Sequence, residues 1–352
     1  MKIIVTAGGT GGHIYPALAL IKSLKKDEVY FVGTSKGMEK DIIASLSIPY
    51  LSLDMKGFDR RKLYKNYNLL FKYLKAKRKV KKLIKDFKPD CVIGFGGYVS
   101  LPVLRCAQEM NIKTFIHEQN SLPGLANKLA GKRATKIFVS FPSSLSYFSK
   151  NKAVITGNPR GDLALNVTPM SLKELGFKDK KPLVLIVMGS LGSLIISQKL
   201  VDMLPLFKGK PYNVLIISGK NYYSLYQDYP QNVKVISYSE ELLNIMALSH
   251  LVVSRSGATI ISEIISLKKP SLFIPSPHVT SNHQMKNALV LKENKAALII
   301  EEKNFKEQLI PTIDKIMKNK VLQKEMADNA TKLGINNSCY KIIKNIKEEL
   351  SK

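Results

Sequence analysis

The sequence predicts an α/β protein made of two Rossmann-like units, and three observations carry this expectation. Short apolar, β-rich runs alternate with amphipathic helical stretches along almost the whole chain, which is the pattern of parallel strands joined by crossover helices. The pattern also begins twice: the strand, glycine-bearing loop and helix at the start return as "PLVLIVMGSLGSLIISQKL", Pro182 to Leu200. Finally, 352 residues exceed one ordinary core, so two cores of about 150 to 200 residues are expected, with a cleft between them.

The elements follow in order. In the first half, strands are predicted at Lys2–Ala7, Val29–Gly33, Asp90–Gly94, Lys113–His117, Lys136–Ser140 and Ala153–Thr156, each closed by a turn and usually followed by a helix. A polar stretch with Pro169 then marks a linker over 160–173. In the second half, the apolar run "LVLIVM" at Leu183–Met188 opens a new series, continued by strands at Asn213–Ser218, Val233–Ser237, Leu251–Ser254 and Ser271–Ile274. From Asn304 to Lys352 the periodicity is helical. The expected division is residues 1–160, residues 161–334, and a helix over 335–352 that packs back on the first domain.

Composition narrows the functional classes. Hydrophobic residues make up 45% and charged ones 23%, a globular balance that excludes a disordered or fibrous chain. Apolar runs fall far short of the roughly 20 residues that span a bilayer. The chain enters a strand at Lys2 without the features of a secretory signal, so a cytoplasmic protein is expected. Cys91, Cys106 and Cys339 are widely spaced and form no C-x-x-C, so reduced thiols are expected rather than disulfides or zinc.

The formal charge of +28 attracts nucleic acid, anionic lipid or phosphorylated substrates, or reflects a lysine-rich proteome. No RNP-like motif or zinc-finger spacing is present, so nucleic acid is not an expected partner. Between Arg60 and Lys88 there are 13 basic residues against one acidic, interleaved at helical spacing with apolar residues from Leu63 to Phe87. Such a helix lies on an anionic membrane surface or faces the core with a solvated basic side; the second reading suits Val80 to Phe87 at least as well.

The candidate sites are the loops after strands. "AGGTGGHIYPALAL" places four glycines between a strand and a helix, which allows positive φ, close backbone approach to a ligand and anion binding at the helix N-terminus. It is not G-x-G-x-x-G, and no acidic residue ends the second strand, which disfavours a dinucleotide cofactor. His13 at the helix mouth suits a neutral imidazole acting as a base, or a helix-cap residue.

"SRSGATIISEI" offers helix N-terminal amides to a phosphate and Glu263 to ribose hydroxyls, or is an ordinary helix capped by Ser256. "PSPHVTSNHQMKNA" suits sugar hydroxyls, and "GFGGYVS" and "HEQNSLPG" fall on the ligand-binding edge of the first sheet. No D-x-D pair occurs, so a metal-held nucleotide diphosphate is not indicated and no metal ligands are assigned.

Taken in order, "GGTGGHIYPALAL", "GGYVS", "HEQNSLPGLANKLA", "TGNPR", "SRSGATIISEI" and "HVTSNHQMKNA" closely resemble the MurG family of peptidoglycan N-acetylglucosaminyltransferases over nearly the whole chain. The resemblance implies a GT-B fold, two Rossmann-like domains with parallel sheets facing each other across a cleft. It implies a first domain for the acceptor and membrane and a second for the donor. It also implies UDP-N-acetylglucosamine as donor, no required cofactor, and undecaprenyl-pyrophosphoryl-MurNAc-pentapeptide (lipid I) as acceptor. The implied place is the cytoplasmic face of the cell membrane, beside other cell-wall synthesis proteins.

Carried over by position, the implied contacts fall on Thr10, Gly11, Gly12, Asn120 and Arg160. In the second domain they fall on Ser190, Ser239, the run Ala258, Thr259, Ile260, Ile261, Ser262 and Glu263, and Gln284. His13 is the first candidate base and Glu118 the second. The loop "MGSLGS" departs from the family's G-G-S-Q-G-A, with Leu191 in place of a glutamine. The competing readings are a GT-B enzyme acting on another lipid, such as a diacylglycerol galactosyltransferase, and a basic nucleic-acid binder.

Overall fold

The computed structural model describes residues 1–57, 64, 67–189 and 192–352, and at Thr280 the backbone alone. The chain forms two compact units, residues 1–162 with 335–352, and residues 163–334.

The first unit runs β1 (Lys2–Thr6), α1 (Gly11–Ser23), β2 (Glu28–Thr34), α2 (Met38–Ala44), β3 (Tyr50–Leu53), α3 (Leu69–Phe87), β4 (Cys91–Gly94), α4 (Ser100–Glu109), β5 (Lys113–Glu118), α5 (Leu125–Gly131), β6 (Lys136–Val139) and β7 (Ala153–Ile155). The chain then passes through α6 (Pro159–Ala164) into the second unit. There it forms β8 (Leu183–Val187), α7 (Leu194–Met203), β9 (Asn213–Ile217), β10 (Val233–Ile236), α8 (Leu242–Leu248), β11 (Leu251–Ser254), α9 (Ala258–Ser266), β12 (Ser271–Phe273), α10 (His283–Glu293), β13 (Ala297–Ile299), α11 (Phe305–Lys318) and α12 (Lys320–Leu333). The last helix, α13 (Ser338–Leu350), belongs to the first unit.

Both sheets are parallel, in the orders β3-β2-β1-β4-β5-β6-β7 and β10-β9-β8-β11-β12-β13. Their central strands are buried on both faces, which is why β1, β8 and β9 read as continuous Val, Ile and Leu runs rather than alternating ones. The sequence expectation omitted β3 and β13. Both are short outermost strands, of four and three residues.

Helices cover each sheet. In the first unit, one face buries Ile14, Ala17 and Leu18 of α1 together with Cys339, Ile342 and Ile346 of α13. The other face buries Ala76, Val80, Leu83 and Ile84 of α3 with Val103, Leu104 and Cys106 of α4. In the second unit the core joins Ile196 and Leu200 of α7 to Leu309, Ile313 and Ile316 of α11. α13 has no cap from its own Asn337. Instead Asp162 accepts from the backbone N–H of Ser338 (3.0 Å) and of Cys339 (2.7 Å), so a carboxylate distant in sequence stabilises its N-terminus.

The basic helix α3 splits along its length. Its C-terminal half supplies the core residues, held to α4 by Lys77 on Glu109 at 2.5 Å. Its N-terminal half exposes Leu70 (70%), Phe71 (68%) and Leu74, with Tyr67 exposed just before it. No helix among the described residues is long and apolar enough to cross a membrane. Residues 60–63, 65 and 66 of the basic segment, Leu63 among them, lie outside the described residues.

Candidate active site

Open parallel sheets bind ligands beyond the carboxyl ends of their strands, where the strand order reverses. That point lies between β1 and β4 in the first unit and between β8 and β11 in the second. The loops leaving β1, β4 and β11 carry "GGTGG", "GFGGYVS" and "SRSG", and Gly189 and Gly192 follow β8. The glycine-bearing motifs read from the sequence thus collect at the two switch points.

In the first unit the β1 and β4 loops interlock. Gly97 has φ +82°, and a Cβ there would stand 2.1 Å from the Gly8 carbonyl oxygen. Gly96 has φ +101°, and its Cβ would stand 2.8 Å from Cδ2 of His13. Both positions need glycine for conformation and for space.

His13, in the first turn of α1, puts Nδ1 3.2 Å from the Gly8 carbonyl and 3.4 Å from Thr10 Oγ1. A carbonyl only accepts, so Nδ1 carries the proton and the lone pair of the neutral ring falls on Nε2. This is the tautomer that a base working through Nε2 requires. Thr10, Gly11 and Gly12 form the helix mouth, with Thr10 exposed and both glycines partly exposed.

Glu118, the second candidate base, is placed differently. Its carboxylate is buried and accepts four hydrogen bonds, from Asn120 N (2.9 Å) and Nδ2 (3.2 Å), Gly124 N (3.0 Å) and Asn127 Nδ2 (2.8 Å). A carboxylate so committed organises the "HEQNSLPG" loop rather than presenting a lone pair to a substrate. Asn120 itself is partly exposed at the loop surface, anchored by Ser144 Oγ donating to its carbonyl at 2.7 Å.

Next to it, His117 is fully buried, its ring 5.2 Å from that of Phe95, and Nε2 donates to the Gly157 carbonyl at 2.9 Å. Burial pulls its pKa down to about 4, against the raising effect of the Gly157 hydrogen bond, so this imidazole is neutral at physiological pH. The "TGNPR" segment continues to Arg160, whose guanidinium lies over the Tyr15 ring at 5.3 Å while the Arg160 backbone N–H donates to Asn158 Oδ1 at 3.0 Å.

In the second unit, α9 starts at Ala258, and its first backbone bond runs from Ile261 N to the Gly257 carbonyl at 3.1 Å. Nothing lies within 4 Å of a Cβ built on Gly257, so there is room at the helix N-terminus, where an anion is favoured. Of the run 258–263, Thr259, Ile260 and Ser262 are partly exposed, while Ala258, Ile261 and Glu263 are buried. Ile261 is a core side chain, and Ser262 Oγ donates back to the Ala258 carbonyl at 2.9 Å, so neither side chain points its chemistry at a ligand.

Gln284 uses Oε1 to accept from Ser276 N at 2.9 Å, and its carbonyl accepts from Ser256 Oγ at 2.8 Å. Asn287 Nδ2 donates to the Ser256 carbonyl at 3.2 Å. These bonds tie the start of α10 to the "SRSG" loop. Ser239 Oγ accepts from Glu241 N at 3.1 Å and closes its own turn. Ser190 and the Leu191 departure lie outside the described residues.

Three residues matter here beyond those expected. Arg255 is buried, with Nη1 donating to the Ile274 carbonyl (2.9 Å), Nη2 donating to Ser193 Oγ (3.0 Å), and an ion pair to Glu302 (2.6 Å). It joins the ends of β8, β11 and β12 rather than reaching outward. Asn127 braces Glu118. Glu39 is a fully buried carboxylate beneath the β1 loop. A signal for it exists in the sequence, since glycine inside a strand marks close approach and Gly33 lies in β2.

Comparison with known proteins adds the following. The glycosyltransferase family 28 N-terminal domain matches residues 3–139, and the glycosyltransferase family 28 C-terminal domain matches residues 183–346. A Pediococcus pentosaceus protein named UDP-N-acetylglucosamine–N-acetylmuramyl-(pentapeptide) pyrophosphoryl-undecaprenol N-acetylglucosamine transferase is 40% identical over 95% of both chains. A Bacillus subtilis protein of the same name is 38% identical over 100% of both. The crystal structure of Acinetobacter baumannii MurG is 28% identical, with a TM-score of 0.79 over 99% of each chain.

Proposed function

The chain belongs to glycosyltransferase family 28 and has the GT-B fold of two Rossmann-like α/β units, and on that premise we propose the reaction it catalyses. It transfers N-acetylglucosamine from UDP-N-acetylglucosamine to the C4 hydroxyl of undecaprenyl-pyrophosphoryl-MurNAc-pentapeptide, giving lipid II for peptidoglycan. The observation that carries this is identity of about two residues in five, end to end, with relatives named for that reaction.

The chemistry is a single displacement. The acceptor oxygen forms a bond to the anomeric carbon, the bond from that carbon to the UDP oxygen breaks, and UDP leaves with the electron pair. The configuration inverts from α to β through an oxocarbenium-like transition state, as in glycoside hydrolysis. His13 receives the hydroxyl proton on Nε2, the nitrogen left basic by the Gly8 hydrogen bond. Glu118 holds the loop that presents Asn120.

On the donor side, the N-terminus of α9 stabilises the leaving diphosphate, Glu263 accepts the ribose hydroxyls, and Gln284 reads the sugar, with Thr10, Gly11, Gly12, Asn120 and Arg160 completing the substrate contacts. A Glu263→Ala enzyme whose donor KM did not rise would remove that role. With no D-x-D pair in the sequence, the diphosphate charge falls to helix ends and basic side chains, so full activity in EDTA is expected.

The enzyme works as a peripheral protein on the cytoplasmic face of the membrane, reaching its lipid acceptor through the exposed apolar and basic surface at the start of α3. A screen of radiolabelled UDP-sugars against a lipid I analogue tests the function. Transfer from UDP-N-acetylglucosamine alone supports the reading; preference for UDP-galactose and a diacylglycerol acceptor would replace it.

A further inference from the structure

Glu39 lies outside the motifs that carry the proposed reaction, yet it is a carboxylate with no exposed surface. Burying such a charge is costly unless hydrogen bonds satisfy it, and a strand-to-helix turn has no intrinsic need of one. Here Oε1 accepts from Thr34 N (2.8 Å) and Thr34 Oγ1 (2.5 Å) while Oε2 is buried without a hydrogen bond among the described residues, and Tyr50 fixes Thr34 by donating to its carbonyl at 2.6 Å.

Three glycines make the space. A Cβ on Gly37 would stand 2.1 Å from Glu39 Oε2, one on Gly33 would stand 2.8 Å from its Cγ, and one on Gly8 would stand 2.8 Å from Oε1. The last contact is decisive, because Gly8 is the residue whose carbonyl accepts from His13 Nδ1. On the other flank of the loop, the Tyr98 ring lies against Gly9, 3.5 Å from a Cβ built there.

We infer that Glu39, through Thr34, is a positioning residue for the transfer reaction: it is the base on which the Gly8–Gly9 backbone rests, and so fixes the tautomer and direction of the His13 ring. This rests on the assignment of His13 above. The glycine at position 8 is thereby explained as well, since any side chain there would displace the carboxylate and the carbonyl together.

The test uses the full-length enzyme with UDP-N-acetylglucosamine and a lipid I analogue, comparing Glu39→Gln, Thr34→Val and Thr34→Ser. Glu39→Gln keeps the shape and an acceptor oxygen but loses the charge, Thr34→Val loses the hydroxyl donor, and Thr34→Ser keeps it. Glu39→Gln and Thr34→Val should lower kcat about 10-fold or more with donor KM within about twofold, because a small misplacement of a reacting group costs rate rather than donor binding. Thr34→Ser should retain most of kcat.

A second readout does not depend on turnover. In spectra of ¹⁵N-histidine-labelled protein, with His13 assigned by loss of its signals in His13→Gln, the wild type should show a protonated Nδ1 at His13, and Glu39→Gln a mixture of tautomers. Unchanged kcat and an unchanged His13 spectrum in folded Glu39→Gln would overturn the inference while leaving the reaction intact. If Glu39→Gln does not fold, Thr34→Val decides by the same two readouts. Absence of transfer by the wild type would instead overturn the proposed function.

Discussion

The Gly8 carbonyl accepts from Nδ1 of His13 at 3.2 Å, which leaves Nε2 as the basic nitrogen of the ring. Removing that ring should therefore cost rate more than binding. His13→Ala is expected to lower kcat by about 10²-fold to 10⁴-fold, the range for loss of a general base, with donor KM within about twofold. Steady-state kinetics at saturating acceptor measures both; a near-normal kcat would remove the base assignment.

His117 makes stability depend on pH. Its folded pKa is about 4 against the ordinary 6.5, so below pH 6.5 the unfolded chain binds a proton that the folded chain refuses. Stability is unaffected above that pH, falls as pH drops from 6.5 to 4, and is lower by about 3 kcal/mol once both values are passed. Urea denaturation at a series of pH values should show this decline, and His117→Gln should flatten it. An equal slope in both proteins would show that other groups carry it.

Arg255 should not tolerate lysine. A single ammonium cannot serve the Ile274 carbonyl, Ser193 Oγ and Glu302 at the positions the guanidinium reaches. Arg255→Lys is expected to lose about 1 to 3 kcal/mol of stability and to raise donor KM by releasing Ser193 at the start of α7. Denaturant midpoint and donor titration check the two halves separately, and an unchanged KM would confine Arg255 to stability.

At the start of α3, Leu70, Phe71 and Leu74 are exposed among lysines. The protein should float with liposomes containing anionic lipid at physiological salt, bind neutral liposomes weakly, and lose most of its binding in a Leu70→Ser, Phe71→Ser double variant, whose changed positions lie off the core. Retention of full binding by that variant would place the membrane surface elsewhere.

The sequence shows the strands and loops more readily than the side-chain partnerships. β1, β4, β8 and β11 announce themselves as apolar runs ending in glycine, and strand order then brings their loops together. The short edge strands β3 and β13 are not among the expected ones, although the equally short β7 is. Glu118 and Glu39 show a different limit. A carboxylate in a motif looks available, and a carboxylate outside one looks solvated, yet each is buried by partners that only the fold supplies. For Glu39 those partners include Gly8, 31 positions away by residue number. Arg255 and Glu302 likewise give no local sign of their pairing.

The Asp162 cap on α13 has a consequence for synthesis. The first unit is discontinuous, and the core face packed by α1 is completed only when Cys339, Ile342 and Ile346 arrive. The second unit is one unbroken stretch, complete in sequence before α13 is reached. The half of the chain translated first is thus completed only by the residues translated last, and until they arrive the sheet face under α1 lacks its second helix.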